Sequence, residues 1–198
     1  MGFVQNQYNP CVYNKIMGED RVTIKTHVDD LKISAIEKEN IMWVIEQLRK
    51  IYREITVHDG DIHDYLGMVM EHNRESKMVK INMTKYILET IEAFKEEEPE
   101  ERLKTVTTPA TNNLFRTRKD VENLSRQRAG IYHSTVAKLL LVAKRARPDI
   151  LLAVSFMTTR VKSPDKDDWH KLIHVLSYLH GSTDITLTLV CDKIDKLS

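Results

Sequence analysis

Along the first third of the chain apolar and polar residues alternate, a period of two that predicts strands. In "CVYNKIMGEDRVTIKTHV", residues 11–28, two β-prone runs flank a turn at Gly18-Glu19-Asp20, and "LKISAI" adds another strand. At residues 38–53 the period lengthens. Ile41, Val44, Ile45, Leu48, Ile51 and Tyr52 recur at spacings of three and four, the mark of an amphipathic helix. "EITVHDGDIHDYLGMVMEH", residues 54–72, returns to strand character with a turn at Asp59-Gly60. "NRES" separates it from "KMVKINM", giving a second hairpin. Ile87, Leu88, Ile91 and Phe94 then define the apolar face of a second helix, which runs out into an acidic stretch and Pro99.

Residues 96–129 are polar and carry no apolar period, so they read as a long exposed connection. Three helical segments follow. "TVAKLLLVAKRA" is apolar nearly all round and reads as buried, and "DILLAVSFMTTR" follows a proline suited to a first helical turn. In "SPDKDDWHKLIHVLSYLHG", Ser163 is the expected cap, Pro164 the first helical residue, and Asp165, Asp167 and Asp168 favour the positive end. Trp169, Leu172, Ile173, Leu176 and Leu179 form its stripe, and Gly181 closes it. "ITLTLV" reads as a last strand. Strands with one crossing helix, then a helical half, make an α+β pattern. The expected organisation is residues 1–95, a polar connection over 96–129, and a helical region over 130–198.

Composition narrows the classes. With 198 residues and 41% hydrophobic content, a substantial core can form. The two cysteines, Cys11 and Cys191, lie at opposite ends without a Cys/His cluster, which disfavours a zinc site or a disulfide scaffold and suits a reducing compartment. No secretory signal or membrane-length apolar run is visible, so an intracellular site, cytoplasmic or nuclear, without membrane contact is expected. The formal charge of +1 conceals an asymmetry. Residues 102–162 hold thirteen Lys or Arg against Asp120, Glu122 and Asp149, a net +10, which leaves −9 elsewhere, much of it in "ETIEAFKEEEPEE" just upstream. Such a segment suits a polyanion or a solvated helix face. His170 and His174 stand four apart on one helix, a spacing that by itself marks surface decoration more often than a metal site. No Gly-rich phosphate loop supports a kinase or ATPase.

The adjacent Asp29 and Asp30 in "RVTIKTHVDDLKIS" admit two readings: a hairpin turn, since Asp tolerates unusual backbone angles, or hard oxygen ligands for Mg²⁺. Six landmarks in order bear on the choice. They are "HVDD" at 27–30, "HDG" at 58–60 with "DYLGMVM" at 64–70, the Tyr86-Ile87 helix start, Thr108-Pro109, "YHSTVAKLLLVAKRARPDILLAVS" at 132–155, and "SPDKDDWHKLIHVLSYLHG" at 163–181. Together they resemble the later half of the reverse transcriptase of copia-type LTR retrotransposons, over nearly the whole chain.

The resemblance implies a partial polymerase palm of antiparallel hairpins plus a helix, followed by a helical thumb-like region. It implies that Asp29 and Asp30 are catalytic, metal-binding residues for Mg²⁺. Nucleotide transfer uses two divalent ions about 4 Å apart, and in the family another aspartate, from an earlier strand, completes their cage. That strand and the fingers precede the segment matched here, so the chain is expected to be inactive alone and to need the upstream polymerase half. Tyr65, Leu66 and Gly67 correspond to a primer grip. Lys138, Lys144, Arg145 and Arg147 lie on thumb helices where they would contact the phosphates of an RNA/DNA template–primer duplex, although Arg147 also has Asp149 within pairing distance in sequence. Departures from the family are His27 for Tyr, Asn9 for an Asp, Met83 for a Gln, and Ala137 for a Gly, where added volume would push helices apart. Asp192 and Asp195 do not match the first catalytic aspartate of the RNase H domain that follows in the family. A non-catalytic nucleic-acid-binding module and a functionless relic of a transposon polyprotein are the alternatives.

Overall fold

The structure, a computed structural model, describes residues 1–190; Cys191, Asp192 and Asp195 lie outside the described residues. The fold is α+β, with antiparallel sheets and five α-helices, and the chain divides into two compact units, Met1–His58 and Asp59–Ser198.

In the first unit, β1 (Val4–Gln5), β2 (Val12–Met17), β3 (Asp20–His27) and β4 (Asp30–Ser34) pair antiparallel in chain order, and α1 (Lys38–Ile51) follows. The alternation along β3 sends Asp20, Val22 and Ile24 inward while Arg21, Lys25 and His27 stay exposed. Val22 and Ile24 form the small core with Val44 and Leu48 of α1, helped by Tyr13, Ile33 and Trp43. Ile51 and Tyr52, expected on the same helical face, are exposed and take no part in this core.

α1 has no cap from its own sequence: Glu37 precedes it without a side-chain hydrogen bond. Asp20 of β3 supplies one. Its carboxylate accepts from the backbone N–H groups of Ile36 and Glu37, both at 3.1 Å, and from Asn40 Nδ2 at 2.9 Å. Asp20, expected in a turn, therefore starts a strand and fastens a helix to the sheet.

The second unit opens with a sheet of order β5 (Ile62–Tyr65), β6 (Met68–Asn73), β7 (Met78–Asn82) and β8 (Leu187–Val190), all antiparallel. Residues 54–58 form no strand, and the β5–β6 reversal falls at Leu66-Gly67 rather than Asp59-Gly60. Between β7 and β8 lie α2 (Thr84–Glu97), α3 (Arg126–Arg145), a 3-10 turn (Pro148–Ile150), α4 (Leu151–Thr158) and α5 (Lys166–His180). Their core joins Ile87, Ile91 and Phe94 of α2 to Tyr132, Val136, Leu139 and Val142 of α3, to Val154 and Met157 of α4, and to Trp169, Leu172 and Leu176 of α5.

Several details differ from the sequence pattern. Leu88 is 44% exposed because Thr90 completes the buried stripe with Ile87, Ile91 and Phe94. α3 begins nine residues before the apolar run, capped by Ser125 Oγ, which accepts from the Arg128 N–H. Its first turn, residues 126–129, is mostly exposed and carries no apolar signal, and the buried face begins at Ile131 and Tyr132. α3 is also not buried all round: Leu140 and Leu141 are half-buried and Ala137 is exposed, so the Ala137 methyl presses on no helix of this unit. α5 is capped by Asp165, not Ser163. The Asp165 and Asp168 side chains accept reciprocally from each other's backbone N–H, a capping box made of two aspartates. Arg160 donates to both carboxylates, which lets them stay buried.

Residues 98–125 form a strap rather than a free loop. Leu114 is buried in the core, Lys104 N–H donates to Ser177 Oγ, and Trp169 Nε1 donates to Glu101 at 2.8 Å. Gly181 ends α5 in ordinary right-handed geometry. Its missing side chain matters because a Cβ there would lie 2.9 Å from Thr105 Cγ2 of the strap.

The Asn40 hydrogen bond, followed by the Glu37 and Ile36 backbone donors, holds the Asp20 carboxyl below its usual value. A depressed carboxyl stabilises the fold at pH above its unfolded value of about 3.9, and that contribution is lost as pH falls through the lower folded value. Urea unfolding of the first unit across pH 2–7 is expected to show this loss at the acid end. Asp20→Asn lowers stability at neutral pH and flattens the acid limb; an unchanged limb would remove Asp20 as its source.

Candidate functional site

Asp29 and Asp30 stand at the β3–β4 reversal. His27 pairs with Asp30 across the ladder, leaving Val28 and Asp29 as a two-residue tip. All four side chains are exposed. The tip's positive φ, 51°, belongs to Val28 and not to an aspartate. A β-branched residue in the left-handed region is strained by about 1–3 kcal/mol, and here it is 89% exposed, so no packing compensates. Lys25 and Lys32 face each other two residues back on the same sheet face. Partial burial and the Lys25 charge both lower the Lys32 ammonium from its usual value. Among the described residues no three His, Cys, Asp or Glu side chains gather as a metal cluster, and β4 pairs with β3 alone.

In the second unit, Tyr65, Leu66 and Gly67 occupy the tip of the β5–β6 hairpin. Tyr65 pairs with Met68, and the two central residues have φ of 55° and 74°. A two-residue tip with both φ positive matches the right-handed twist of the strands. Leu66 takes the position a small residue would usually fill, and its carbonyl accepts a 2.6 Å hydrogen bond from Arg145 Nη1. The structure thus joins one of the four cations singled out in the sequence to the primer-grip-like hairpin.

The other three cations separate. Lys144 is exposed on α3 and Lys138 half-exposed. Arg147 is 0% exposed. Its guanidinium donates to Asp149, to the Ser182 carbonyl at 2.6 Å and to Ser182 Oγ at 2.9 Å, and lies over the Tyr178 ring. The local pairing with Asp149, one of the two roles open for it in sequence, is the one formed, and a guanidinium so enclosed has no face to offer a phosphate. Burial alone would raise the Asp149 carboxyl; the hydrogen bonds from Arg147 and Tyr178 hold it below its usual value instead.

Part of the remaining positive charge of residues 102–162 is also committed. Arg128 pairs with Glu98, and more distantly with Glu101, so the acidic run folds onto the start of α3. Arg118 binds Asp167 through two nitrogens. These pairs had no local signal, since their partners are 27 to 49 residues apart.

No family model matches the chain, and no solved structure matches it. The chain is similar to a retrovirus-related Pol polyprotein from transposon TNT 1-94 of Nicotiana tabacum, 27% identical over 186 residues, covering 91% of the chain and 14% of that polyprotein. It is also similar to a putative transposon Ty5-1 protein of Saccharomyces cerevisiae, 24% identical over 208 aligned residues, covering 97% of the chain and 63% of that protein. The chain therefore spans less than two thirds of either relative. These likenesses support a retrotransposon-derived protein. No helix among the described residues is long and apolar enough to cross a membrane.

Val28→Gly is expected to stabilise the first unit by about 1 kcal/mol, because glycine adopts a positive φ without steric cost, offset in part by greater unfolded-chain entropy. Urea unfolding of the two forms measures the difference; a loss of stability would show that Val28 is not strained at the tip.

Proposed function

We propose that this stretch is the acidic-hairpin and primer-holding part of an RNA-directed DNA polymerase of a copia-type retrotransposon, and that alone it holds template–primer duplex without chemistry. The observation that carries the reading is the Asp29-Asp30 pair at the exposed, strained tip of a hairpin whose β4 is, among the described residues, an edge strand of its sheet. A strand added there would bring a third carboxylate near the tip. The Pol polyprotein named among the relatives, and the order of the six sequence landmarks, support the same reading.

Two carboxylates on one turn are too few to enclose two Mg²⁺ ions, which need ligands from more than one segment. Asp29 and Asp30 fit as part of such a centre and do not complete it, so no catalytic step is assigned to this chain. Duplex contact falls to Lys138 and Lys144, with Arg145 fixing the Leu66 turn that would lie against the primer end. Phosphate contacts of this kind give affinity that is sequence-independent and salt-dependent. The alternative of a functionless relic is favoured by the internal pairing that consumes Arg118, Arg128 and Arg147.

Two measurements test the reading. The purified chain is expected not to extend a primer on an RNA template with Mg²⁺ or Mn²⁺; extension abolished by Asp29→Asn would overturn the claim that it is inactive alone. It is expected to bind a fluorescent RNA–DNA duplex, with log affinity falling linearly in log salt. Replacing Lys138 and Lys144 by Ala should reduce the slope by roughly two, at about 0.9 per neutralised phosphate. An unchanged slope removes both from the interface, and no binding at low salt leaves the relic.

A further inference from the structure

A cleft of about 360 Å³ lies in the second unit between strap residues 109–118 and α5. That volume is at the low end of small-ligand sites, about 300–1,000 Å³. Its floor is apolar, made by Ala110, Leu114 and Val175, and its wall is polar, made by the cations Arg116, Arg118 and Lys171 and the imidazoles of His170 and His174, with Asp167 as the one carboxylate.

The hydrogen bonds show how much of that charge is spent. Arg118 uses Nε and Nη2 on Asp167, which leaves Nη1 and cancels the carboxylate. Lys171 Nζ donates to the Arg116 carbonyl at 3.0 Å and to Asp168 at 3.3 Å and lies over the Phe156 ring, so its charge is spent within the fold. The Arg116 guanidinium is exposed and has no carboxylate partner among the described residues. His174 Nε2 faces the Thr108 carbonyl at 2.9 Å, which can only accept, so Nε2 is the protonated nitrogen and the ring is fixed. The strap, through Arg116 and Arg118, and α5, through His170, therefore converge donors on one recess, while Lys171 holds the Arg116 carbonyl and the Thr108 carbonyl fixes the His174 ring. The strap is held in place by its own contacts, so the recess is formed before any ligand arrives, which lowers the ordering cost of binding.

We propose that this cleft is a phosphate-binding site for a small phosphorylated ligand of nucleoside monophosphate size, with Arg116 as the principal phosphate contact and the Ala110–Leu114–Val175 floor under the rest of the ligand. A recess closed by a strap suits a terminal phosphate monoester. The continuous backbone of a duplex, to which Lys138 and Lys144 are assigned, needs an open track. The site is independent of that duplex reading, and its residues are absent from it.

The test titrates the isotopically labelled full chain with inorganic phosphate, adenosine monophosphate and adenosine, following amide shifts of residues 108–118 and 166–176. Phosphate and the monophosphate are expected to bind saturably, with adenosine much weaker. Arg116→Ala should weaken both by about tenfold, the loss of one charge-assisted contact, Arg116→Lys should recover part of it, and Lys144→Ala should leave both unchanged. Arg116 is exposed, so unchanged amide spectra outside the cleft will show that the variants fold. If neither phosphate nor the monophosphate binds saturably, if adenosine binds as well as its monophosphate, or if Arg116→Ala binds like the wild type, the proposal fails. The duplex titration with Lys138 and Lys144 replaced reads the other surface, so either reading can fail while the other stands.

Discussion

The helical unit is organised around one buried charge. Arg147 sits just past the end of α3, at the entry to the Pro148–Ile150 turn, and reaches both Asp149 and the Ser182 backbone after α5. An uncompensated guanidinium in such a place would cost several kcal/mol, so the partners must be held where it needs them. Asp149 is fixed in turn by Tyr178 of α5, whose ring also lies beside the guanidinium. One side chain thus sets the angle between the end of α3, the start of α4 and the end of α5. Everything placed by those helices inherits the constraint, including Lys144 and Arg145 one turn earlier and the Leu66 tip that Arg145 grips.

The same economy governs the rest of the basic segment. A net +10 over residues 102–162 looks like a polyanion surface when charges are summed along the chain. In the fold, Arg118, Arg128, Arg147 and Arg160 each meet a carboxylate. These four arginines take structural posts because a planar guanidinium satisfies a carboxylate through two hydrogen bonds, while Lys138 and Lys144, on flexible stems, and the exposed Arg116 are left toward solvent. The positive field available to a ligand is therefore smaller than the sequence total and is concentrated on part of α3 and in the cleft beside the strap.

Both hairpin tips follow one design. Each is a two-residue reversal with a bulky residue, Val28 or Leu66, in the left-handed region where glycine would be unstrained. The Leu66 tip is tied down by Arg145, and the Val28 tip stands free with its two aspartates. Strain of this kind persists only where the ladder on either side overrides it, and it fixes the position of the adjacent side chains more tightly than a relaxed loop would.

Periodicity made legible the alternation of strands and helices, the centre of the buried face of α1 at Val44, Ile45 and Leu48, the buried face of α5, and the strands flanking both tips, because burial of alternate or every third and fourth residue is written locally. The double aspartate and the six ordered landmarks were also legible, as was the pairing of Arg147 with a residue two positions away. What the tertiary structure decided were relations between distant residues. Asp20 caps a helix eighteen residues on, Glu98 neutralises Arg128, and a connection without apolar period becomes a strap bonded along α5. None of these has a local signature: a carboxylate reads the same in sequence whether water or a remote N–H satisfies it, and only the packed chain brings the donor within reach.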